Sequence, residues 1–263
     1  VGHPLTKGGD CFNAATLIAA GVRVAPYLKQ RLPNYEVFDE ERYFESGDAP
    51  CVVTLKGVRC GINICADVWE AGSADQAREA GADLLLVLNA SPFHRNKIEA
   101  RHTAARYRVE ESELPLAYVN LTGGQDELVF DGASFALNCA GEVVAQAPAY
   151  DDALTLIDFA HGDLQPSPLA ALPCHLESVY RALVVGVRDY IGKNGFPGIL
   201  LGLSGGIDSA LTLAIAVDAL GADCVHAVMM PSPYTADISL TDSRDMVKRL
   251  GVQYSEIAIQ PMF

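Results

Sequence analysis

Two short stretches of the chain carry residue types whose spacing can do chemistry. The first is Ser204-Gly205-Gly206-Ile207-Asp208-Ser209. Adjacent glycines lack Cβ atoms, so the backbone can approach an anion closely. Ser204 and Ser209 add hydroxyl donors. An apolar run precedes the loop and a helical pattern follows it, which aims free N–H groups and a positive dipole end at a phosphate. Asp208 would repel a bare phosphate but can hold Mg²⁺ against one. A lone Gly-Gly is most often a turn with an ordinary N-cap. The full pattern at a strand-to-helix switch, where ligands gather in open parallel sheets, favours nucleotide binding. It is not a Walker loop: five residues separate Gly186 from Gly192 where four are needed, and Asn194 replaces the Ser or Thr after Lys193.

The second stretch is Gly61-Ile62-Asn63-Ile64-Cys65-Ala66-Asp67. Its thiol closes an apolar run, where a rigid sheet can hold it toward a pocket. A thiolate attacks an amide carbonyl when its pKa is lowered, for example by a nearby ammonium. Lys29, within Tyr27–Tyr35, would also stabilise a tetrahedral oxyanion. Taken alone, a cysteine in an apolar strand is usually core and a lone lysine a solvated charge.

These residues need elements to position them. Residues 1–160 read as short strands mixed with helices. Strands are expected at 51–55, 59–64, 84–88, 116–120, 133–137 and 154–157, with turns at Gly57 and Cys139–Glu142. Several run apolar without alternation, as strands covered on one or both faces do. Helices are expected at 73–80 and 97–112. Residues 161–175 hold three prolines and form the expected linker. Residues 176–263 then alternate: helix 176–194 with Val179, Leu183, Val184, Val187 and Ile191 on one face, strand 199–203, helix 207–220, strand 225–230, helix 241–250 with Ser239 and Asp242 as a cap, and strand 253–259. That order predicts a parallel sheet with right-handed crossovers, so the class is α/β with two domains, 1–160 and 176–263.

Composition narrows the partners. Half of the 263 residues are hydrophobic, enough for a substantial core. The formal net charge of −14 disfavours nucleic acid and anionic membrane. The seven cysteines are odd in number and none shows C-x-x-C spacing, which argues against a disulfide scaffold or zinc site and for a reducing, cytoplasmic setting. No apolar stretch is long enough to span a bilayer. The six histidines show no ligand spacing, and His94 and His102 read as polar surface. Trp69 reads as packing or, four residues after Cys65, as a wall of a substrate pocket, and Glu110-Glu111 as a solvated helix end. The start at Val1 and the stop at Phe263 read as cuts from a longer protein.

Ser204–Ser209 resemble the pyrophosphate loop of the N-type ATP pyrophosphatases. Arg188-Asp189-Tyr190, Lys193-Asn194-Gly195-Phe196, the run from Gly202 to Leu211 and Met229-Met230-Pro231-Ser232 narrow the resemblance to the NAD synthetases. Pro233 departs from the arginine of that pattern. Phe38-Asp39-Glu40-Glu41-Arg42-Tyr43-Phe44, Gly61–Asp67, Asn89-Ala90-Ser91-Pro92-Phe93 and Asn120–Glu127 look like the nitrilase-type glutaminase half of such enzymes.

The resemblance implies a nitrilase-like α-β-β-α sandwich followed by a Rossmann-like ATP pyrophosphatase domain. It implies Cys65 as nucleophile and Lys29 as the lysine of a Glu-Lys-Cys triad. Tyr35, Ser91 and Lys97 would bind glutamine. Gly202, Leu203, Ser204, Gly205, Gly206, Ile207, Asp208 and Ser209 would bind ATP, with Mg²⁺ on Asp208. The implied reaction amidates deamido-NAD with ammonia from glutamine, in a cytoplasmic homo-oligomer with an ammonia tunnel, and NAD⁺ is product, not cofactor. The family's base glutamate lies upstream of the lysine; only Asp10 is acidic before Lys29, so the base is expected in preceding sequence. Glu40 or Glu41 would be an auxiliary glutamate. The competing readings are another nitrilase-fused amidotransferase and a catalytically incomplete scaffold piece.

Overall fold

A computed structural model describes Val1–Met262. Two compact units emerge: residues 1–122 with 130–173, and residues 123–129 with 174–263.

The first unit opens on an antiparallel meander, β1 (Gly2–Lys7), β2 (Asp10–Ala19) and β3 (Val22–Leu28). Its first turn is Gly8-Gly9 and its second Ala20-Gly21, all four at positive φ, as two-residue hairpins require. Pro4 sits in β1, which ends the three-strand order. Nothing in the sequence pattern marked these strands, because their apolar residues do not alternate cleanly.

Eight more strands and two helices follow: β4 (Val52–Leu55), β5 (Val58–Ile64), α1 (Ser73–Glu79), β6 (Leu84–Asn89), α2 (Lys97–Ser112), β7 (Leu116–Asn120), β8 (Thr122–Gln125), β9 (Leu128–Asp131), β10 (Phe135–Leu137) and β11 (Val143–Gln146). Six of the strands form one sheet in the order β11-β10-β7-β6-β5-β4. β5, β6 and β7 pair in parallel, flanked by antiparallel strands.

Along β6, Leu85 and Val87 face α1 and α2, joining Ala74, Ala77, Ala105 and Val109. Leu84, Leu86 and Leu88 face the other way, joining Ala15 and Tyr27 of the meander. Successive side chains alternate faces and both faces are covered, so the run is continuously apolar. The result is three layers: helices, six-stranded sheet and meander. Among the described residues no helix covers the meander's outer side, where Ile18, Val22 and Val24 stay more than half exposed.

Two expectations fail here. Residues 154–157 form no strand; Leu154 and Leu156 are exposed and find no ladder partner. The strand expected from Ala133 starts at Phe135, because Gly132 and Ala133 take positive φ. A short ladder, β12 (Phe159–Ala160) and β13 (Asp163–Leu164), then lies with the first unit.

The second unit contains α3 (His175–Lys193), β14 (Ile199–Gly202), α4 (Ile207–Leu220), β15 (Val225–Met229), α5 (Asp237–Leu250) and β16 (Gln253–Glu256). Its three strands are parallel, in the order β14-β15-β16. Leu203, Leu213, Ala216, Val225, Ala227 and Val247 form the core. α3 buries Ala182 and Val185, while Leu183 of the expected face is half exposed. α5 starts at Asp237, so Ser239 lies inside the helix and caps nothing; Ala236 is the N-cap. The tip of the β8–β9 hairpin belongs to this unit. There Gly124 N–H donates to Asp189 Oδ2 at 2.7 Å, and Lys193 Nζ donates to Gly124 O. No described helix is long and apolar enough to cross a membrane.

Candidate functional site

The thiol sits where β5 turns sharply into a 3₁₀ turn, Cys65–Val68. Cys65 has φ of +42°, a strained conformation for a non-glycine residue that recurs at functional sites. Lys29 follows the last residue of β3 and is held by backbone bonds from its N–H to Asn13 O and from Gly47 N–H to its carbonyl. The two side chains converge on a cavity of about 400 Å³ that Asn13, Phe38, Glu40 and Asn89 also line. A larger cavity, about 660 Å³, runs along β7 and residues 151–157. It holds neither Cys65 nor Lys29, so chemistry rather than size selects the smaller one.

Lys29 is 2% exposed, and a buried ammonium requires a counter-charge. Glu40 supplies it: Lys29 Nζ donates to Glu40 Oε1 at 2.5 Å, and Asn13 Nδ2 donates to Oε2 at 3.1 Å. Glu41, next in sequence, points to solvent. Structure thus separates two glutamates that the sequence left equivalent. Burial pushes the Cys65 thiol above its ordinary range; Lys29 and Arg101 pull it down, while Glu40 and Asp67 push it up. Burial thus opposes ionisation of the thiol, and the Lys29 ammonium is the strongest of the charges that favour it.

Ser91 is buried beside this site. Its Oγ accepts from Arg101 Nε at 3.1 Å and its carbonyl from Arg101 Nη2 at 2.8 Å, while its N–H donates to Asn120 Oδ1 at 2.9 Å. Arg101 also pairs with Asp131 at 2.7 Å, both residues 1% exposed. Tyr35 is half exposed and meets Phe38 edge-on, with ring centroids 5.8 Å apart. Burial and then the Cys65 charge raise its phenol pKa. Lys97 lies over the Trp69 ring, 4.4 Å from its centroid. Neither Tyr35, Ser91 nor Lys97 lines the 400 Å³ cavity. Asp10 is exposed at the start of β2, away from the cavity lining.

Sequence reasoning passed over Asp67, Arg101 and Asp131. Their only signal is a charged residue inside an otherwise apolar or helical segment. His102 also differs from expectation: it is part-buried, edge-on to Phe135 at 4.3 Å, and burial holds its imidazole below the ordinary value. His94 is exposed as read. Glu110 is exposed, while Glu111 pairs with Arg108 at 2.7 Å.

In the second unit the phosphate loop joins β14 to α4. Leu203 is buried, and its N–H donates to Val228 O, which anchors the loop to the sheet. Gly205 has φ of +79°, and a Cβ there would lie 2.5 Å from Ser239 O, so this position admits only glycine. Ser204 Oγ and Ser209 Oγ lie 2.9 Å apart; Gly206 N–H donates to Ser204 Oγ at 3.3 Å, and Ser204 N–H to Ser209 Oγ at 3.2 Å. The hydroxyls thus brace the loop while leaving the first turn of α4 open. Gly202, Ser204, Gly206, Ile207 and Asp208 are exposed at the carboxyl end of the sheet. Among the described residues no three His, Cys, Asp or Glu side chains cluster as a metal site. Asp208 stands alone, with hydroxyl oxygens nearby in sequence. That hard-oxygen set suits Mg²⁺ held mainly by substrate phosphates rather than by a protein cage.

Comparison with known proteins agrees with both halves. Residues 1–167 match the carbon-nitrogen hydrolase family and residues 179–263 the NAD synthase family. A glutamine-dependent NAD(+) synthetase from Xanthomonas campestris pv. campestris is 46% identical, covering all of this chain and 49% of its own. One from Rhodobacter capsulatus is 42% identical over 99% of this chain and 48% of its own. The solved glutamine-dependent NAD+ synthetase from Acinetobacter baumannii, in complex with adenosine diphosphate, superposes with a TM-score of 0.93 at 40% identity, over 99% of this chain and 50% of that one. The chain spans about half the length of the curated relatives it matches. It belongs to the carbon-nitrogen hydrolase family, joined to an NAD synthase segment as in the glutamine-dependent NAD(+) synthetases it resembles.

Proposed function

We propose that this chain supplies the thiol site of a glutaminase and the ATP loop of a synthetase that amidates deamido-NAD to NAD⁺. The observation that carries the reading is the convergence of Cys65, Lys29 and Glu40 on one cavity at the end of a parallel strand. Cys65 Sγ attacks the glutamine side-chain carbonyl carbon. The C–N bond breaks, ammonia leaves, and a γ-glutamyl thioester remains for water to cleave to glutamate. Lys29 Nζ donates to the developing oxyanion. Glu40 accepts from that ammonium and aims it. Ser91, fixed by Arg101, half-exposed Tyr35 and Lys97 over Trp69 are the glutamine-binding set that the resemblance implies.

In the second domain, residues 202–209 bind ATP, with backbone N–H groups and the α4 N-terminus facing the phosphates. Asp208 would hold Mg²⁺, which supplies charge neutralisation when bound. The loop positions the α-phosphate for attack by the deamido-NAD carboxylate, pyrophosphate leaves, and ammonia displaces AMP. The domains read as 1–160 and 176–263 around the linker 161–175. A cytoplasmic homo-oligomer belongs to the same reading and rests on the resemblance. The full-length protein should make NAD⁺ from glutamine, and Cys65→Ala should abolish that while ammonia-dependent synthesis persists. Glutamine-dependent synthesis surviving in Cys65→Ala would reject Cys65 as nucleophile.

A further inference from the structure

Asp67 is 0% exposed, yet the reaction above gives it no part. Its two oxygens accept four hydrogen bonds, and every donor flanks the reacting pair. Oδ1 accepts from the N–H groups of Gln30 at 3.1 Å and Arg31 at 2.9 Å, the two residues after Lys29. Oδ2 accepts from the N–H of Ile64 at 2.9 Å, directly before Cys65, and from the Tyr27 hydroxyl at 2.9 Å, two residues before Lys29. A buried carboxylate is costly to retain unless its lone pairs are filled, and here donors fill them from two chain segments 36 positions apart, as Lys29 is from Cys65. The Ile64 bond also closes the turn on which Cys65 holds its positive φ. Packing alone would be served as well by an apolar residue of similar size.

We propose that Asp67 is a positioning residue, which sets the spacing of the Lys29 ammonium and the Cys65 thiol by clamping the segments that carry them. The role rests on reading Lys29 and Cys65 as a reacting pair. It does not depend on what the substrate is. Asp67→Asn keeps the shape but sets an amide donor against either the Ile64 N–H or the Gln30 and Arg31 N–H groups.

The test is a double-mutant cycle on the full-length protein. Its readout is the rate at which iodoacetamide alkylates Cys65 near neutral pH, followed by peptide mass. Lys29→Met should slow alkylation about tenfold, and Asp67→Asn about fivefold. The double variant should be no slower than Lys29→Met, since Asp67 acts through the spacing of that pair. The sign is diagnostic. Deleting a nearby negative charge would by itself favour the thiolate and speed alkylation, so slowing reports lost position. An Asp67→Asn rate equal to or above wild type, or fully additive penalties, overturns the proposal. If Asp67→Asn does not fold, Tyr27→Phe decides: slowing of about twofold or more supports the clamp, and an unchanged rate overturns it. Failure of the glutaminase reading itself would show separately, as glutamine-dependent synthesis surviving Cys65→Ala.

Discussion

The thiol site and the phosphate loop are built by opposite means. The proposed phosphate loop is local: residues 202–209 are contiguous, mostly exposed, and present backbone N–H groups and two hydroxyls that bond each other. The thiol site is assembled across sequence. Lys29, Glu40 and the turn that carries both Cys65 and Asp67 come from three segments; Lys29 and Asp67 are buried, and each finds partners on another segment. A backbone device tolerates changes outside its loop but not a Cβ inside it. A device made of buried charges instead fails when any one partner is lost.

That contrast can be broken by mutation. The largest effect is expected at the buried ion pair. Arg101→Met strands Asp131 as an unpaired buried charge and should destabilise the first unit by about 3–5 kcal/mol in denaturant melts. Adding Asp131→Leu should restore much of the loss. Next comes Gly205→Ala. The new methyl group meets Ser239, so the loop must shift, and ammonia-dependent synthesis should fall by about two orders of magnitude in steady-state assays. Full ammonia-dependent activity in Gly205→Ala would mean that the loop does not need its close backbone approach. The smallest effect sharpens the comparison. Glu40→Gln should lower glutamine-dependent kcat about tenfold by removing the charge that holds Lys29, while Glu41→Gln should change it less than about twofold. Equal effects of the two substitutions would erase the assignment of Glu40.

Legibility followed the same divide. Ser204–Ser209 was readable because every participating residue lies within one turn of the next, and the strand and helix on either side announce themselves by apolar pattern. α2 and β5–β7 were readable for the same reason. The meander was not: its strands gain stability from pairing and from Ala15 and Tyr27 packing on the larger sheet, which no local pattern encodes. Residues 154–157 have strand-like composition but no neighbouring strand, and propensity without a partner leaves the segment irregular. Around Cys65, the family pattern pointed to Lys29, yet physical reading alone left both residues as core and surface.

The sequence alone determined the α/β class and the strand–loop–helix that presents residues 202–209. These depend on local backbone preference and on residue chemistry, both of which are carried residue by residue. Only the tertiary structure decided that Glu40 and not Glu41 meets Lys29, that Arg101 and Asp131 lock Ser91, and that Asp67 ties the Lys29 segment to the Cys65 turn. The physical reason is burial. A carboxylate in solvent pairs with water, and whether it instead pairs with a distant partner depends on which surfaces the folded sheet and meander close around it.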